Sequence, residues 1–350
     1  MRKLLCIILS IIMCFTLGGC YDSKEISRIA FIIAVGFDQN SYSFQIVKPS
    51  AFEGESSEDS PLLTTTISAP NVYIAMDKLN STISEKCDYS HIKLVLFSQE
   101  KLNKGIEDEI NAMLKSNDFH PNTRVAMCED KASDYFKDMK IPLDANPAEY
   151  YENIFKQNFT EYSPDTKLKD MQKNYKTQVI ANVVPILNNK STGMVITKDY
   201  KLTDITDEQE VLLYHILKEK DFEGNYPING NTVVSLKKKS CKYNIDLSDK
   251  IPLISIKLKL DGNIIWAEGS VDKSKIQELT KEKLENDITE FLYRCSLQYR
   301  ADIFDFYKLA KTNYLTTKSW EKEDWQGLYE KSNYKVTIDV NISREGLNID

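Results

Sequence analysis

The sequence predicts an α+β protein of about three domains, each built on a mostly antiparallel or mixed sheet flanked by helices. Between residues 29 and 128, apolar strand patterns alternate with amphipathic helix patterns, which indicates a sheet covered by helices. Between residues 254 and 342, two strands of regular apolar–polar alternation enclose a long helical stretch. A chain of 350 residues is long enough to bury more than one hydrophobic core.

The first twenty residues form a targeting segment and not a part of the folded body. Arg2 and Lys3 precede an uncharged apolar run over 4–17, which is too short to span a bilayer but has the length of a signal-peptide apolar region. The run ends in Leu17-Gly18-Gly19-Cys20, which has the form of a bacterial lipobox. We therefore predict a lipoprotein signal peptide over 1–19 and a mature chain that begins at lipid-modified Cys20.

The charge of the predicted mature chain limits its partners. Without Arg2 and Lys3, its 331 residues include 43 basic and 52 acidic side chains, a net charge of −9. No nucleic-acid partner is expected, because neutralising phosphates needs a basic surface. The net charge does not favour anionic lipids either, so we assign membrane attachment to the lipid at Cys20. No later segment of the sequence has the length and hydrophobicity of a transmembrane helix.

The first folded domain is predicted over 20–172. Its buried strand over 29–37 is joined by a turn at 38–41 to a strand over 42–46, whose apolar–polar alternation predicts one exposed face. A loop rich in serine and acidic residues follows over 50–61. The further elements predicted in this domain are strands over 62–68, 92–97 and 123–128 and helices over 71–84 and 106–114.

The polar stretch 160–176 marks the boundary to a second domain, predicted over 173–250, and a third domain is predicted over 251–350. The second contains paired strands over 179–187 and 194–197, a helix over 204–218 with Thr206 as N-cap, a loop over 224–231 and a strand over 232–236. The third contains a hairpin of strands 254–260 and 264–267 that turns at Asp261-Gly262, the longest helix over 270–299, short helices near 303–311 and 320–330, and a strand over 334–342. We expect the strands over 254–260 and 334–342 to share one sheet.

The cysteines of the mature body carry no recognisable motif. Besides Cys20 there are four of them: Cys87, Cys128, Cys241 and Cys295. Four thiols could form two disulfides in three connectivities. None belongs to a C-x-x-C pair, and Cys128 and Cys295 lie in apolar patterns. Buried free thiols are the favoured interpretation, and the disulfides remain an alternative.

No combination of residues typical of catalysis or cofactor binding stands out. The sequence lacks H-E-x-x-H, G-x-S-x-G, a P-loop and G-x-G-x-x-G. His91, His120 and His215 are each interpreted as structural. The three tryptophans could line a ligand platform, but core packing is the favoured interpretation for Trp266, Trp320 and Trp325. We therefore predict no enzyme activity, no catalytic residue, no metal site and no cofactor.

The residues after the lipobox carry more than local information. Cys20-Tyr21-Asp22-Ser23-Lys24-Glu25-Ile26 is followed by the apolar strand and Val35-Gly36-Phe37-Asp38. Further landmarks come in order at 90–93, Gly105, 191–196, 200–204, 302–304, Trp320, Trp325 and 342–347. This ordered set covers nearly the whole mature chain and resembles the Ger(x)C family, the lipoprotein C subunits of nutrient germinant receptors in bacterial spores.

Two departures from the family pattern are visible. The family start usually reads G-C-W-D-x-R-E-I, and here Tyr21 replaces the tryptophan and Lys24 the arginine, which are conservative changes. At Asp305-Phe306-Tyr307 the family tends to carry a glycine-rich turn of the form D-x-F-G-F-G. The backbone conformation at Asp305 is therefore left open.

The resemblance implies a three-domain lipoprotein on the outer face of the spore inner membrane. It would assemble with two integral-membrane subunits, an A subunit and a B subunit that resembles amino-acid transporters, to sense nutrients and trigger germination. The family offers no catalytic residues to transfer, so only Cys20 receives a role, as lipid acceptor. Whether this subunit contacts the nutrient is left open.

Two other classes of lipoprotein agree less well with the sequence. A solute-binding lipoprotein that delivers a small ligand to a membrane transporter needs two similar lobes, and the strand patterns of the two halves differ. A lipoprotein hydrolase needs a nucleophile with its base, and no such set is evident in the sequence.

Overall fold

The computed structural model of the chain contains three sheets of six, three and four strands in its described residues, with helices against them. These residues are 29–47, 62–139, 150–151, 164–173, 181–187, 193–268 and 272–344. The α+β class with several helix-flanked sheets is thereby confirmed. The predicted signal peptide, the lipobox with Cys20 and the loop over 50–61 lie outside the described residues.

The first sheet has six strands and is mixed. They are β1 (Ile29–Phe37), β2 (Ser41–Val47), β3 (Leu62–Ser68), β4 (Lys86–Asp88), β5 (Leu94–Ser98) and β6 (Arg124–Cys128). The order is β3-β2-β1-β5-β6, and β4 lies beside β1. β1 pairs antiparallel with β2, which confirms the predicted hairpin, and parallel with β5.

Helices cover both faces of this sheet. They are α1 (Val72–Thr82), α2 (Gln99–Lys104), α3 (Glu107–Lys115), α4 (Ala132–Asp138) and α5 (Leu168–Lys173). Apolar residues of α1, α2, α3 and α5 join the core on one face, and those of α4 join a smaller core on the other. The helices predicted over 71–84 and 106–114 correspond to α1 and α3.

The second face of β2 is buried, so the prediction of an exposed face is wrong. Gln45 donates a hydrogen bond to the Phe136 carbonyl (3.4 Å) and accepts one from the Tyr151 hydroxyl (2.5 Å). Ser43 is also buried. The polar residues of β2 therefore pair with groups from distant parts of the chain, which alternation within a single strand cannot reveal.

The second sheet has three antiparallel strands, β7 (Ala181–Pro185), β8 (Met194–Lys198) and β9 (Lys201–Ile205). The predicted pairing of β7 with β8 is confirmed. The next helix, α6 (Glu208–Lys218), begins later than predicted because Asp207, and not Thr206, is its N-cap. Thr206 instead bonds the Met194 carbonyl of β8 through its backbone N–H (2.9 Å) and its hydroxyl (3.1 Å).

The third sheet has four strands in the order β10 (Glu223–Asn229), β11 (Thr232–Asp246), β12 (Leu253–Ala267) and β13 (Asn333–Arg344). β12 and β13 pair in parallel, so the predicted shared sheet is confirmed. The loop predicted over 224–231 is wrong, because most of it forms β10. The turn predicted at Asp261-Gly262 is also wrong. A Cβ at Gly262 would lie 3.0 Å from Val234, so this glycine serves close packing inside one long strand.

Side chains of the C-terminal helices join the hydrophobic core that covers one face of the third sheet. These helices are α7 (Lys273–Tyr293), a π-helical turn (Arg294–Gln298), α8 (Phe306–Lys311), α9 (Thr317–Trp320) and α10 (Trp325–Tyr329). The predicted long helix corresponds to α7 with the π-helical turn. The single helix predicted near 320–330 is two short helices, each with its own N-cap, Thr316 and Asp324.

The predicted boundary at 250 falls in the connection between β11 and β12, two paired strands of the third sheet. The division into domains over 20–172, 173–250 and 251–350 stays a prediction. None of the helices within the described ranges combines the length and the apolar character needed to cross a membrane.

Candidate functional site

Asp38 is a buried carboxylate at the end of β1, only 5% exposed. It accepts hydrogen bonds from the backbone N–H groups of Ala132 (2.8 Å) and Ser133 (3.3 Å), the first two residues of α4. A helix start leaves such N–H groups unpaired and favours negative charge. Lys131, the residue at the N-cap position of α4, makes no side-chain capping bond. Asp38 therefore caps α4 from 94 residues away.

Gly36 explains how α4 comes so close to β1. A Cβ at this position would lie 2.7 Å from the Ala132 Cβ and 2.9 Å from the Phe136 ring. In the segment Val35-Gly36-Phe37-Asp38, the glycine thus leaves room for α4 to pack closely, and the aspartate caps its N-terminus. The family-like landmark at the end of β1 has a structural reason, which is the docking of α4.

Asp302 is a second buried carboxylate, 2% exposed, just after the π-helical turn. It accepts from the backbone N–H groups of Phe306 (2.9 Å) and Tyr307 (2.8 Å) at the start of α8 and from the Trp325 indole N–H (3.2 Å). Burial raises the pKa of Asp302 to about 6, although these three hydrogen bonds act in the opposite direction. Asp302 thereby joins α8 to α10.

The structure defines the backbone conformation of Asp305, where the family tends to carry a glycine-rich turn. Its φ is +61°, a left-handed conformation that glycine adopts freely and aspartate tolerates. It stands where the D-x-F-G-F-G pattern has its first glycine. Its carboxylate accepts from the ammonium groups of Lys218 (2.9 Å) and Lys308 (2.9 Å). Burial opposes ionisation, but these charges outweigh it and lower the pKa of Asp305.

Glu210 connects the start of α6 to the π-helical turn. It is buried, and the Tyr299 hydroxyl donates to both of its carboxylate oxygens (2.8 and 2.9 Å). Arg294 lies 3.0 Å from the same carboxylate. Burial raises the pKa of Glu210, while Tyr299 and Arg294 act against this. Because π-helical turns are frequent at functional sites, the contact marks a candidate coupling point between two helices.

A buried lysine holds the other end of α6. Lys238 of β11 donates to the carbonyl groups of Ile216 (2.9 Å) and Leu217 (3.3 Å), and Tyr243 also donates to Leu217 (2.7 Å). Carbonyl groups at a helix C-terminus lack partners within the helix and attract positive charge. Burial lowers the pKa of Lys238. Both ends of α6 are thus fixed by side chains from other elements.

The structure gives each histidine a structural contact. His215 is buried, and its Nδ1 shares a hydrogen bond with Glu219 (2.6 Å). His91 packs edge-on against Phe31, with ring centroids 5.2 Å apart. His120 accepts from a backbone N–H two residues further on (3.1 Å). These contacts agree with the structural interpretation of all three side chains.

The tryptophans do not form a common platform. Trp325 is buried and Trp320 half-buried, with ring centroids 5.9 Å apart, so core packing is confirmed for Trp325. Trp266 is 64% exposed at the end of β12, and its assignment to the core is wrong. The cause is a register shift between β11 and β12 beside Val233, which is opposite Trp266. Cys87, Cys128 and Cys295 are buried free thiols, and Cys241 is a half-buried one.

A cleft of about 290 Å³ lies between α6, β7 and the start of α8. Two of its carboxylates are already paired, Asp165 with Arg124 (3.0 Å) and Asp305 with its two lysines. Within the described ranges, no histidine, cysteine and carboxylate groups cluster in a way that could hold a metal ion. Cys20, the predicted lipidation site, is outside these ranges.

The sequence alone assigned no structural or functional role to the side chains of Asp38, Glu210 and Asp302. A local signal existed for Asp302, because it directly precedes the helix predicted over 303–311 and aspartate is a common N-cap. No local signal existed for Asp38 or Glu210, whose carboxylates have partners 84 to 95 residues away. These side chains define an α+β protein whose buried carboxylates hold its own helices in place.

Two family models match adjoining parts of the chain. One, described as "Spore germination protein N-terminal domain", matches residues 22–189, and the other, "Spore germination B3/ GerAC like, C-terminal", matches residues 191–346. The chain belongs to the Ger(x)C family of spore germination proteins, which confirms the resemblance. This is a family of germinant receptor C subunits and not a known enzyme family.

Individual relatives agree with this assignment. "Spore germination protein GerQC" of Bacillus cereus is 17% identical over 97% of this chain and 98% of its own length. "Spore germination protein KC" of Bacillus subtilis is 23% identical over 53% of this chain and 48% of its own length. The crystal structure of the GerBC protein shares the fold, with a TM-score of 0.58 and 14% identity over 92% of this chain and all of that one.

Proposed function

We propose that the chain is the lipid-anchored, non-catalytic C subunit of a spore nutrient germinant receptor. The adjoining family matches over 22–189 and 191–346 carry this proposal. The subunit is attached to the outer face of the spore inner membrane by the lipid at Cys20. It assembles there with the membrane-embedded A and B subunits to trigger germination.

The buried carboxylates support a non-catalytic role. Glu210 and Asp302 have raised pKa values, which is often a mark of catalytic acids. Both side chains are buried, however, and their oxygens accept hydrogen bonds from the protein itself. Asp302 holds the start of α8, and Glu210 joins α6 to the π-helical turn, so we assign both carboxylates to folding and to the coupling of helices and not to proton transfer to a substrate.

Purification from spores tests the assembly. The chain, captured from detergent-solubilised spore membranes, is expected to bring down one A and one B subunit in constant ratio. Deletion of its gene should slow germination in response to nutrients and leave the response to non-nutrient triggers intact. A normal nutrient response in a strain that lacks this chain and all its paralogues would contradict the proposal.

The anchor is tested separately at Cys20. We expect Cys20→Ala to release the protein from membranes or to leave the signal peptide uncleaved, because the lipid acceptor is missing. Cys14→Ala is the matched control, since it removes a thiol within the same segment without touching the lipobox. Membrane fractionation and mass spectrometry of the N-terminus are the readouts. Normal processing together with membrane retention of Cys20→Ala would refute lipidation at this residue.

The cleft of about 290 Å³ is the observation that favours the alternative, a solute-binding lipoprotein that delivers a small ligand to a membrane transporter. Such a protein needs two similar lobes, whereas the first sheet has six strands in mixed order and the third has four. Native mass spectrometry distinguishes the two functions, because a solute-binding protein retains a stoichiometric small molecule through purification.

A further inference from the structure

The outer face of the third sheet is exposed, and its lysines fall into two groups. In the first group each ammonium lies beside a carboxylate. These pairs are Lys237–Glu223 (2.7 Å), Lys239–Asp261 (2.8 Å) and Lys259–Asp339 (3.4 Å). This half of the face is electrically balanced, as expected for an ordinary solvated sheet surface.

The second group has no acidic partner among the described residues. Lys242 of β11 lies directly opposite Lys257 of β12. Lys335 of β13 lies opposite Ser255, one row nearer to the connection between β11 and β12. All three side chains are exposed. Like charges directly opposite each other on neighbouring strands destabilise a sheet, so sheet stability does not explain this arrangement.

The adjoining connection between β11 and β12 adds apolar side chains to this region. Ile251 is 48% and Leu253 36% exposed, and Lys250 precedes them. Two acidic residues are close in sequence, Asp246 and Asp249. The carboxylate of Asp246 accepts a hydrogen bond from the backbone N–H of Ser248 (2.9 Å), so it is held by its own turn.

We propose that this basic face, defined by Lys242, Lys257 and Lys335 with Ile251 and Leu253 at its tip, docks onto an anionic lipid surface. The net charge of the whole chain is −7, so its composition does not explain why three ammonium groups without an acidic partner among the described residues share one sheet face. Lysine side chains reach lipid phosphates while their stems remain against the sheet. Exposed aliphatic side chains beside basic ones are typical of surfaces that enter the headgroup region.

Charge distribution, and not net charge, decides this contact. Near a membrane the attraction acts within about a Debye length, roughly 8–10 Å at moderate salt, so only the nearest side chains contribute. The basic face orients the folded body on the membrane, which a lipid on a single N-terminal residue does not do by itself.

Lysine acetylation footprinting tests the proposal. The full chain, in the form in which the cell processes it, is combined with vesicles of phosphatidylcholine alone or with added phosphatidylglycerol. With the anionic lipid, we expect acetylation of Lys242, Lys257 and Lys335 to slow roughly five-fold. Lys237 and Lys259, on the balanced half of the same sheet face, serve as internal controls and should react equally with both vesicles.

A pair of matched variants sharpens the test. Lys242→Gln combined with Lys257→Gln should abolish the protection of Lys335, whereas Lys237→Gln combined with Lys239→Gln should leave it intact. Unchanged urea midpoints show that the variants are folded. Equal acetylation with both vesicle types would overturn the proposal. So would protection in spore membranes but not in phosphatidylglycerol vesicles, because it would assign the basic face to an acidic protein partner.

Discussion

Asp38 and Asp302 each cap the start of a helix, in two different parts of the molecule. They differ in how far along the chain the capped helix lies. Each carboxylate accepts from two consecutive backbone N–H groups at the start of a helix, α4 or α8. Asp302 bonds residues four and five positions further on, while Asp38 bonds residues 94 and 95 positions away. Asp302 also binds the Trp325 indole, which makes it the centre of a local fold of three segments.

This difference in sequence separation between the carboxylate and its helix has consequences for folding. A local cap forms as soon as its helix forms, whereas a distant cap requires the β1–β2 hairpin and α4 to be docked first. Asp38 therefore reports on the assembly of the first sheet, and Asp302 on the local order of the C-terminal helices. Substitutions at the two aspartates distinguish the local cap from the distant one.

The largest effect is expected for Asp302→Ala. The change leaves three buried donors without an acceptor, so the free energy of unfolding should fall by about 4 kcal/mol. Urea denaturation gives this value, and near-ultraviolet circular dichroism reports the environment of Trp325. The control is Asp324→Ala, which removes an exposed cap of α10 and should cost only about 1 kcal/mol. A loss below about 1 kcal/mol for Asp302→Ala would contradict the role of this side chain.

The pH dependence of stability isolates the buried charge of Asp302. Because its pKa is raised from 3.8 to about 6 in the folded state, the folded protein binds a proton more readily than the unfolded chain in this range. The associated stabilisation is fully present only below the unfolded-state pKa of 3.8 and is lost as the pH rises through 6. It amounts to about 3 kcal/mol.

Asp302→Asn provides the reference for this measurement, because an amide does not titrate. Relative to Asp302→Asn, the unmodified protein should gain about 2.4 kcal/mol in free energy of unfolding between pH 7 and pH 4. Urea denaturation of both proteins at four pH values gives the difference curve. A flat curve would show that the carboxylate of Asp302 is not buried as described.

Asp38→Ala should have a smaller effect, about 2 kcal/mol, because two donors at the start of α4 lose their acceptor. The loss should appear as faster hydrogen exchange of the Ala132 and Ser133 amides. Lys131→Ala is the control, since Lys131 makes no capping bond, and it should change stability by less than about 0.5 kcal/mol. Exchange that remains slow in Asp38→Ala would mean that α4 is held by packing alone.

The smallest effect is predicted at Asp305, where two substitutions are compared. Asp305→Gly and Asp305→Ala both remove the pairs with Lys218 and Lys308, so their difference isolates the left-handed backbone. The glycine variant should be more stable by about 1 kcal/mol, because alanine is strained at this φ. Thermal denaturation of both proteins provides the comparison, and equal stability would argue against a left-handed Asp305.

Local patterns predicted many of the elements. α1 and α3 were identified from apolar residues at helical spacing, and β3 and β6 from short apolar or threonine-rich runs. The shared sheet of β12 and β13 followed from their common alternation, while their direct parallel pairing came from the structure. Such elements could be read because one side of each faces a core, which sets the period of the pattern.

Predictions failed where a distant segment changed the environment. β2 has a polar alternation, but its polar face is also covered, by groups such as Phe136 and Tyr151. Asp261-Gly262 has the residues of a turn, yet Gly262 makes room for Val234 inside a continuous strand. In both cases the local sequence is compatible with two structures, and packing selects one of them.

The sequence by itself determined the class of fold and the family to which the chain belongs, and it predicts a targeting segment with lipidation at Cys20. These features depend on composition, period and the order of motifs along the chain. Only the tertiary structure decided that Asp38 caps α4, that Glu210 binds Tyr299, and that Lys242 lies opposite Lys257. Each of these contacts joins different elements, so it exists only once strand register and helix docking are set.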